Sequence, residues 1–316
     1  MAGPFAAAPA HAAFPGRSGL IAFIRNGNIY TSSATGGSVK QITKSGGLSG
    51  PHWSPDGKRL AYADASGNVF VRTMTTGRTI KVGTGAVGAS GPVWSGDGSR
   101  VAWIAYYPAD SVTPCDEESI ATAPRDGSAP ATRLVNYDIG DSDWCSYPPS
   151  IQIGGWSPDN KSILLTETDG HQGIGKGLYL LNLTAGRMTH LVEVNCDGED
   201  VPTGACTYPT MSPATFGPKG IKILFSMSGG YVDQVIPPFY STVPRVYSLD
   251  APTGTNFHQV STGSGYDPVS SPDGSWALYT TAAGVTTNIM RTGLDATSKP
   301  KLLIKNASQP DWQPAH

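Results

Sequence analysis

A short phrase recurs along the chain of 316 residues: Trp53-Ser-Pro-Asp-Gly, Trp94-Ser-Gly-Asp-Gly, Trp156-Ser-Pro-Asp-Asn, Ser270-Ser-Pro-Asp-Gly and, near the C-terminus, Pro310-Asp-Trp-Gln-Pro. Repeats spaced by about 40 to 60 residues mark folds built from copies of one unit, each too small to bury its apolar face alone. The turn chemistry is explicit: proline presets φ at the start of a tight turn, and glycine supplies the positive φ at its end. Around that turn, residues 51 to 82 read as four short strands, Pro51-His-Trp-Ser, Lys58-Arg-Leu-Ala-Tyr-Ala, Asn68-Val-Phe-Val-Arg-Thr-Met and Thr79-Ile-Lys-Val. Leu60 and Tyr62 alternate with Arg59 and Ala61, the period of a half-buried strand.

The same grammar returns over Pro92 to Leu134, Gly155 to Val192, Met211 to Val260 and Pro268 to Ile304. The segments Leu20-Ile-Ala-Phe-Ile-Arg, Asn28-Ile-Tyr-Thr and Val39-Lys-Gln-Ile-Thr supply only three strands of a unit, and Gln309-Pro-Asp-Trp-Gln-Pro supplies the missing first one. Five whole units and one split unit predict an all-β fold, a six-bladed β-propeller of four-stranded antiparallel blades. The C-terminal strand completes the N-terminal blade and closes the ring, which leaves only short, protected edges. Length alone would allow two domains, but a repeat running from Gly19 to Pro314 makes residues 19–316 one domain. Residues 1–18, with Ala6-Ala-Ala-Pro-Ala-His-Ala-Ala13, read as a signal-peptide remnant or a disordered tail. Export to a secreted, periplasmic or cell-surface location is therefore expected. No stretch is long and apolar enough for a membrane span.

The segment WSPDGKRLAYADASGNVFV, from Trp53 to Val71, resembles the repeat of TolB-like six-bladed propellers, also called WD40-like or PD40 repeats. The resemblance covers almost the whole chain and implies the propeller fold, but carries little information on function. Two units depart from it: Phe216-Gly-Pro-Lys-Gly220 stands for the phrase in the fifth, and Ser270 replaces its tryptophan in the sixth. Within these 316 residues no counterpart is expected of the α/β domain that precedes the propeller in TolB. The G-x-S-x-G elbow of a hydrolase is also missing.

Because strands alternate in direction within a blade, the Pro-Asp-Gly turns define one face of the disc, and second-to-third-strand links lie on the other with the links between blades. Four long insertions fall on that other face: residues 106–119, 135–152, 193–208 and 229–244, with a smaller one at 169–176. Elaborated loops on a rigid scaffold are where binding residues concentrate. The four cysteines lie in these insertions without metal-knuckle spacing. They predict disulfides Cys115–Cys145 and Cys196–Cys206, each contributing about 2 to 4 kcal/mol.

The four long insertions hold 12 of the 24 acidic residues, nine of the 28 aromatic residues and no Lys or Arg, although the whole chain carries a net charge of only −2. Such a surface attracts cations and repels polyanions, so nucleic acid is excluded as a partner. The expected ligand residues are Tyr106, Tyr107, Asp116, Glu117, Asp138, Asp141, Asp143, Trp144, Tyr147, His171, Tyr208, Tyr231 and Tyr240. Tyr266 and Asp267 join them at the channel mouth, where equivalent blades have Ser-Gly. Aromatic faces stack on sugars, and carboxylates hold hydroxyls or basic side chains, so the expected partner is a glycan or a basic peptide or protein. The alternatives are a glycan-active hydrolase or lyase using rim carboxylates, and a scaffold for a protein partner. No catalytic residue is singled out. No cofactor or transition-metal site is expected. Asp138-Ile-Gly-Asp-Ser-Asp143 and Asp197-Gly-Glu-Asp200 offer hard ligands for Ca2+ without matching the EF-hand pattern. A monomer is expected.

Overall fold

The computed structural model describes residues 16–85, 91–107, 117–135, 151–157, 159–167, 176–194, 210–228, 231–232, 239–240, 243–295 and 298–315. Blade 1 contains β1 (Arg17–Arg25), β2 (Asn28–Ser32) and β3 (Lys40–Gln41), and blade 2 contains β4 (Leu48–Trp53), β5 (Arg59–Asp64), β6 (Val69–Thr73) and β7 (Thr79–Gly83). Blade 3 follows with β8 (Val93–Trp94), β9 (Arg100–Tyr107), β10 (Glu117–Pro124) and β11 (Thr132–Val135). Blade 4 is β12 (Ile151–Trp156), β13 (Ser162–Glu167), β14 (Lys176–Asn182) and β15 (Arg187–Val194). The inner strand of blade 5 is split into β16 (Thr210–Met211) and β17 (Thr215–Phe216), which both pair with β18 (Lys222–Ser228). A small hairpin, β19 (Tyr231–Val232) and β20 (Phe239–Tyr240), precedes β21 (Arg245–Asp250) and β22 (Thr255–Gln259). Blade 6 is β23 (Tyr266–Ser270), β24 (Trp276–Ala283), β25 (Thr286–Gly293) and β26 (Lys301–Lys305), and β27 (Ser308–Ala315) returns to blade 1.

The six antiparallel blades and the closure of the ring are those expected from the repeat. Strand β27 pairs with β1 in the order β27-β1-β2-β3, with Ile21 opposite Trp312 and Ala22 opposite Asp311. The ladder begins at Arg17, opposite Ala315, two residues before the Gly19 start read from the sequence. The closing strand runs one residue beyond Pro314 and offers those residues partners. Gln313 fastens the seam further: its Oε1 accepts from Leu20 N at 2.9 Å and its Nε2 donates to Gly57 O at 2.7 Å. A Cβ at Gly57 would stand 2.3 Å from Pro314 O, so the turn glycine is required there by close approach as well as by its φ of +64°.

The core lies between blades rather than within them. Six apolar clusters each join one blade to the next, for example Ala22, Ile29, Leu60 and Tyr62 across blades 1 and 2. The repeat tryptophans Trp53, Trp94, Trp156 and Trp312 each fill one of these seams, and Phe216 takes the same role in blade 5. A blade alone would expose both faces, which is why the chain folds as one closed unit.

The repeated Ser-x-Asp supports each turn. Ser54 Oγ donates to Asp56 Oδ1 at 2.6 Å, Asp56 Oδ1 accepts from Lys58 N at 3.0 Å, and Ser54 Oγ accepts from Arg59 N at 2.9 Å. Asp97, Asp159 and Asp273 repeat this pattern with Ser95, Ser157 and Ser271. Partial burial pushes these four carboxyls up, but the hydrogen bonds from serine and backbone outweigh it and hold all four below the ordinary aspartate range.

The insertions begin as continuations of the ladders. In 106–119, Tyr107 pairs with Glu117 and Tyr106 with Glu118, so the hairpin of β9 and β10 extends beyond the expected strand end. In 229–244, Tyr231 stands opposite Tyr240.

Candidate functional site: the axial channel

The innermost strands of the six blades surround the central axis, and five blades have a proline in that strand or against it: Pro51, Pro268 and Pro310 within β4, β23 and β27, Pro92 before β8 and Pro213 between β16 and β17. An inner strand has no neighbour on its axial side, so a proline there forfeits no ladder bond. In four blades the residue before that proline adopts left-handed backbone: Gly50 (φ +55°), Gly91 (φ +72°), Asp267 (φ +46°) and Gln309 (φ +50°). Ladder irregularities coincide with this step in blades 1, 2 and 6. Glycine takes such a conformation without strain, whereas a residue with a Cβ spends about 1 to 3 kcal/mol on it. Blades 6 and 1 therefore place Asp267 and Gln309 where blades 2 and 3 have glycine, and hold them there against strain.

Hydrogen bonds from three consecutive blades over-determine this arrangement. The Asp267 carboxyl is hydrogen-bonded by Thr280. Thr280 Oγ1 in turn accepts from Gln309 N at 3.1 Å, and Gln309 Oε1 accepts from Gly50 N at 2.9 Å. Two residues further along the closing strand, Asp311 Oδ2 accepts from Trp53 N at 2.6 Å, and Asp311 Oδ1 lies 3.9 Å from His52 Nδ1. Burial pushes the carboxyls of both Asp267 and Asp311 up from the ordinary range, against the Thr280 bond at Asp267 and the influence of His52 on both. A shielded carboxylate of this kind favours a proton or a cationic partner.

The channel holds two recesses that share His52. The one toward the insertion-bearing face has a volume of about 40 Å3 and is lined by Gly50, Asp267 and Gln309 with Thr215 and four of these prolines, Pro51, Pro213, Pro268 and Pro310. The other, toward the Pro-Asp-Gly face, has a volume of about 90 Å3 and is lined by Asp311 and the four repeat tryptophans. Trp94 Nε1 donates to His52 O at 2.9 Å, whereas the indole nitrogens of Trp53, Trp156 and Trp312 are buried without a partner among the described residues. Among the described residues no three His, Cys, Asp or Glu side chains converge as a metal centre. Nor is any helix among them long and apolar enough to cross a membrane.

Of the residues expected from the sequence, Tyr266 lies on β23 and Asp267 lines the insertion-side recess. Tyr106, Tyr107 and Glu117 belong to the extended hairpin of blade 3, and Tyr231 and Tyr240 to the hairpin of blade 5. Asp116, Asp138, Asp141, Asp143, Trp144, Tyr147, His171, Tyr208 and the cysteines Cys115, Cys145, Cys196 and Cys206 lie outside the described residues. His52 and Asp311 are not among the residues expected from the sequence, where each stands only within a repeat segment, Pro51-His-Trp and Pro310-Asp-Trp. Aligning the inner strands on the residue before the seam aromatic would have flagged both. That position is Val93, Gly155, Thr215 or Val269 in four blades, and ionisable only in His52 and Asp311.

No family model matches the chain. No curated protein matches it either. Solved structures do. TolB from Acinetobacter baumannii superposes with a TM-score of 0.68 at 17% identity, over 94% of this chain and 67% of that one. A chain of a nidogen/laminin complex gives a TM-score of 0.64 at 11% identity, over 93% and 98% of the two chains. An oligogalacturonate lyase in complex with manganese gives 0.55 at 14% identity, over 88% and 70%. At these identities the likeness is one of fold, and the protein has the TolB-like six-bladed propeller architecture.

Proposed function

We propose that this TolB-like propeller is an exported binding module that receives a basic peptide or protein segment on its insertion-bearing face. Asp267 anchors a cationic side chain at the channel mouth, and Asp311 lies deeper on the axis. The observation that carries the reading is the Asp267 site itself: a shielded carboxylate on strained backbone, hydrogen-bonded by Thr280, which in turn accepts from Gln309 N of the next blade, in a recess that His52 also lines. Strain retained at one position of a repeat, where glycine serves elsewhere, is the expected mark of a site shaped for binding rather than for stability. The absence of Lys and Arg from the four long insertions extends the same electrostatic preference over the face around it. A neutral or amino-sugar glycan is the second reading, favoured by the nine aromatic residues in those insertions.

Calorimetric titration with a Lys/Arg-rich peptide and with neutral oligosaccharides distinguishes the two. The first reading predicts peptide binding that weakens with salt and falls by about tenfold or more in Asp267→Asn, because a buried charge pair loses one partner. Oligosaccharide binding without peptide binding would support the second. Oligosaccharide turnover would support an enzyme. An unchanged peptide affinity in a folded Asp267→Asn protein would contradict the role given to that carboxylate.

A further inference from the structure

The near-zero net charge conceals a division between the two halves of the ring. Residues 86–260, forming blades 3 to 5, carry 9 basic and 18 acidic side chains. Residues 1–85 and 261–316, forming blades 6, 1 and 2 with the N-terminal segment, carry 13 basic and 6 acidic side chains. The first set is thus near −9 and the second near +7.

The positive charge is concentrated on the outer strands and their flanks. Lys299, Lys301 and Lys305 lie along β26, Lys40 and Lys44 at β3, and Arg78 and Lys81 at β7, and all seven are exposed. None of them forms an ion pair among the described residues. Of the six acids in this half, Asp267 and Asp311 line the channel, and Asp56 and Asp273 are held in the Pro-Asp-Gly turns. Asp64 is held in the turn between β5 and β6 by Ser66 and Asn68. Asp295 stands near the outer edge, and Asp64 lies within electrostatic reach of Lys81.

Charged residues on a free sheet edge commonly serve to prevent edge-to-edge pairing. That role would require them on every blade. The outer strands of the other half differ: β11 carries Arg133, β15 carries Arg187 and Glu193, and β22 carries no Lys, Arg, Asp or Glu. The cations are therefore concentrated, not confined, on three consecutive blades: seven on these outer strands and their flanks, against Arg133 and Arg187 on the outer strands of the other half.

We infer that the outer rim of blades 6, 1 and 2 is a docking surface for a flexible, linear polyanion. Three adjacent blades of six span half the circumference, so the surface is a convex arc. A polymer can bend along such an arc, whereas a flat bilayer would meet little more than one blade. Six of the seven cations are lysines, which act as compact, non-directional charges rather than as bidentate forks for single phosphates. No aromatic side chain is among the exposed large apolar residues described, which disfavours stacking of bases on the rim. Density of charge along a chain is what this surface can recognise.

The test is fluorescence anisotropy with fluorescein-labelled dextran sulfate, with long-chain polyphosphate as an unlabelled competitor. Parallel arms use phosphatidylglycerol vesicles and an oligo-dT of similar charge. The inference predicts binding of both polymers that weakens steeply as salt rises from about 50 to about 500 mM. The triple variant K40E/K301E/K305E should lose about tenfold or more in affinity, while K161E/K219E, on blades 4 and 5, should stay within about twofold. Equal losses in the two variants would overturn the inference, as would no polymer binding. Binding to vesicles or oligo-dT without binding to the polymers would overturn it in favour of a lipid or nucleic-acid surface. If the triple variant aggregates while its polymer affinity is unchanged, the lysines are edge protection and the inference fails. Asp267→Asn, which tests the channel, should leave polymer binding unaltered.

Discussion

Blades 2 and 6 share a turn and a bend of the inner strand, and differ in the residue that makes the bend. Both use a Ser-x-Asp turn, with Ser54 and Asp56 in one and Ser271 and Asp273 in the other, bonded in the same way. Both bend the inner strand before a proline through left-handed backbone. In blade 2 the bend is Gly50; in blade 6 it is Asp267, which turns an unstrained joint into a strained carboxylate at the axis. The lesson is that the repeat specifies how a blade is made, and that chemistry enters where a blade departs from it without abandoning the backbone path.

The largest effects should come from the shared frame and should be alike around the ring. Trp53 and Trp156 fill equivalent seams, and both are buried. Replacement of either by Ala should cost about 3 to 5 kcal/mol in denaturant unfolding. A cost at Trp156 below about 1 kcal/mol, with the full cost at Trp53, would show that blades 2 and 4 are not equivalent frames. Ser54→Ala and Ser271→Ala should each cost about 1 kcal/mol, because each removes a hydroxyl that both donates to the turn aspartate and accepts from backbone. A cost confined to one of the two would break the comparison at the turn.

The two kinds of aspartate should respond to pH in opposite senses. The turn carboxyls are held low, so their contribution is present above the ordinary aspartate range and is lost as pH falls through it toward their folded values. Asp267 and Asp311 are pushed up, so their effect runs the other way: relative stability is highest in acid and declines as pH rises from the unfolded value through the folded one. Asp267→Asn should therefore raise thermal stability at pH 7 relative to the wild type and make little difference at about pH 3. Asparagine also tolerates left-handed backbone. A fall in stability at pH 7 would mean that the ionised carboxylate is stabilising, and that the strain is not a concession to binding. The smallest effect is expected at the rim, where Lys301→Glu should change stability by less than about 0.5 kcal/mol.

The fold was legible because its signals are local. Pro55-Asp-Gly is a turn with a known mechanism, and the split between β1 to β3 and β27 shows as three strands at one end of the chain and one at the other. The departure of Tyr266-Asp267 from Ser-Gly was legible for the same reason, since it is a deviation from a periodic pattern. His52 and Asp311 were legible only as ionisable departures at one repeat position, not as a cluster with Asp267, because the cluster forms only across the closure seam. The bond between Gly50 and Gln309 joins residues 259 positions apart, and that between Trp53 and Asp311 joins residues 258 apart. No spacing along the chain brings His52, Asp267 and Asp311 together; the ring does. The value of the prolines was also hidden, since their role depends on the inner strand having no partner on the axial side.

The central claim, that ligand enters by the insertion-bearing mouth and meets the Asp267 cluster, is tested most directly by amide hydrogen exchange with and without a Lys/Arg-rich peptide. The account predicts added protection at Gly50 and Gln309, whose amides frame that mouth, and none at the Pro-Asp-Gly turns on the other face. Protection confined to those turns, at Gly57, Gly98 and Gly274, would contradict it.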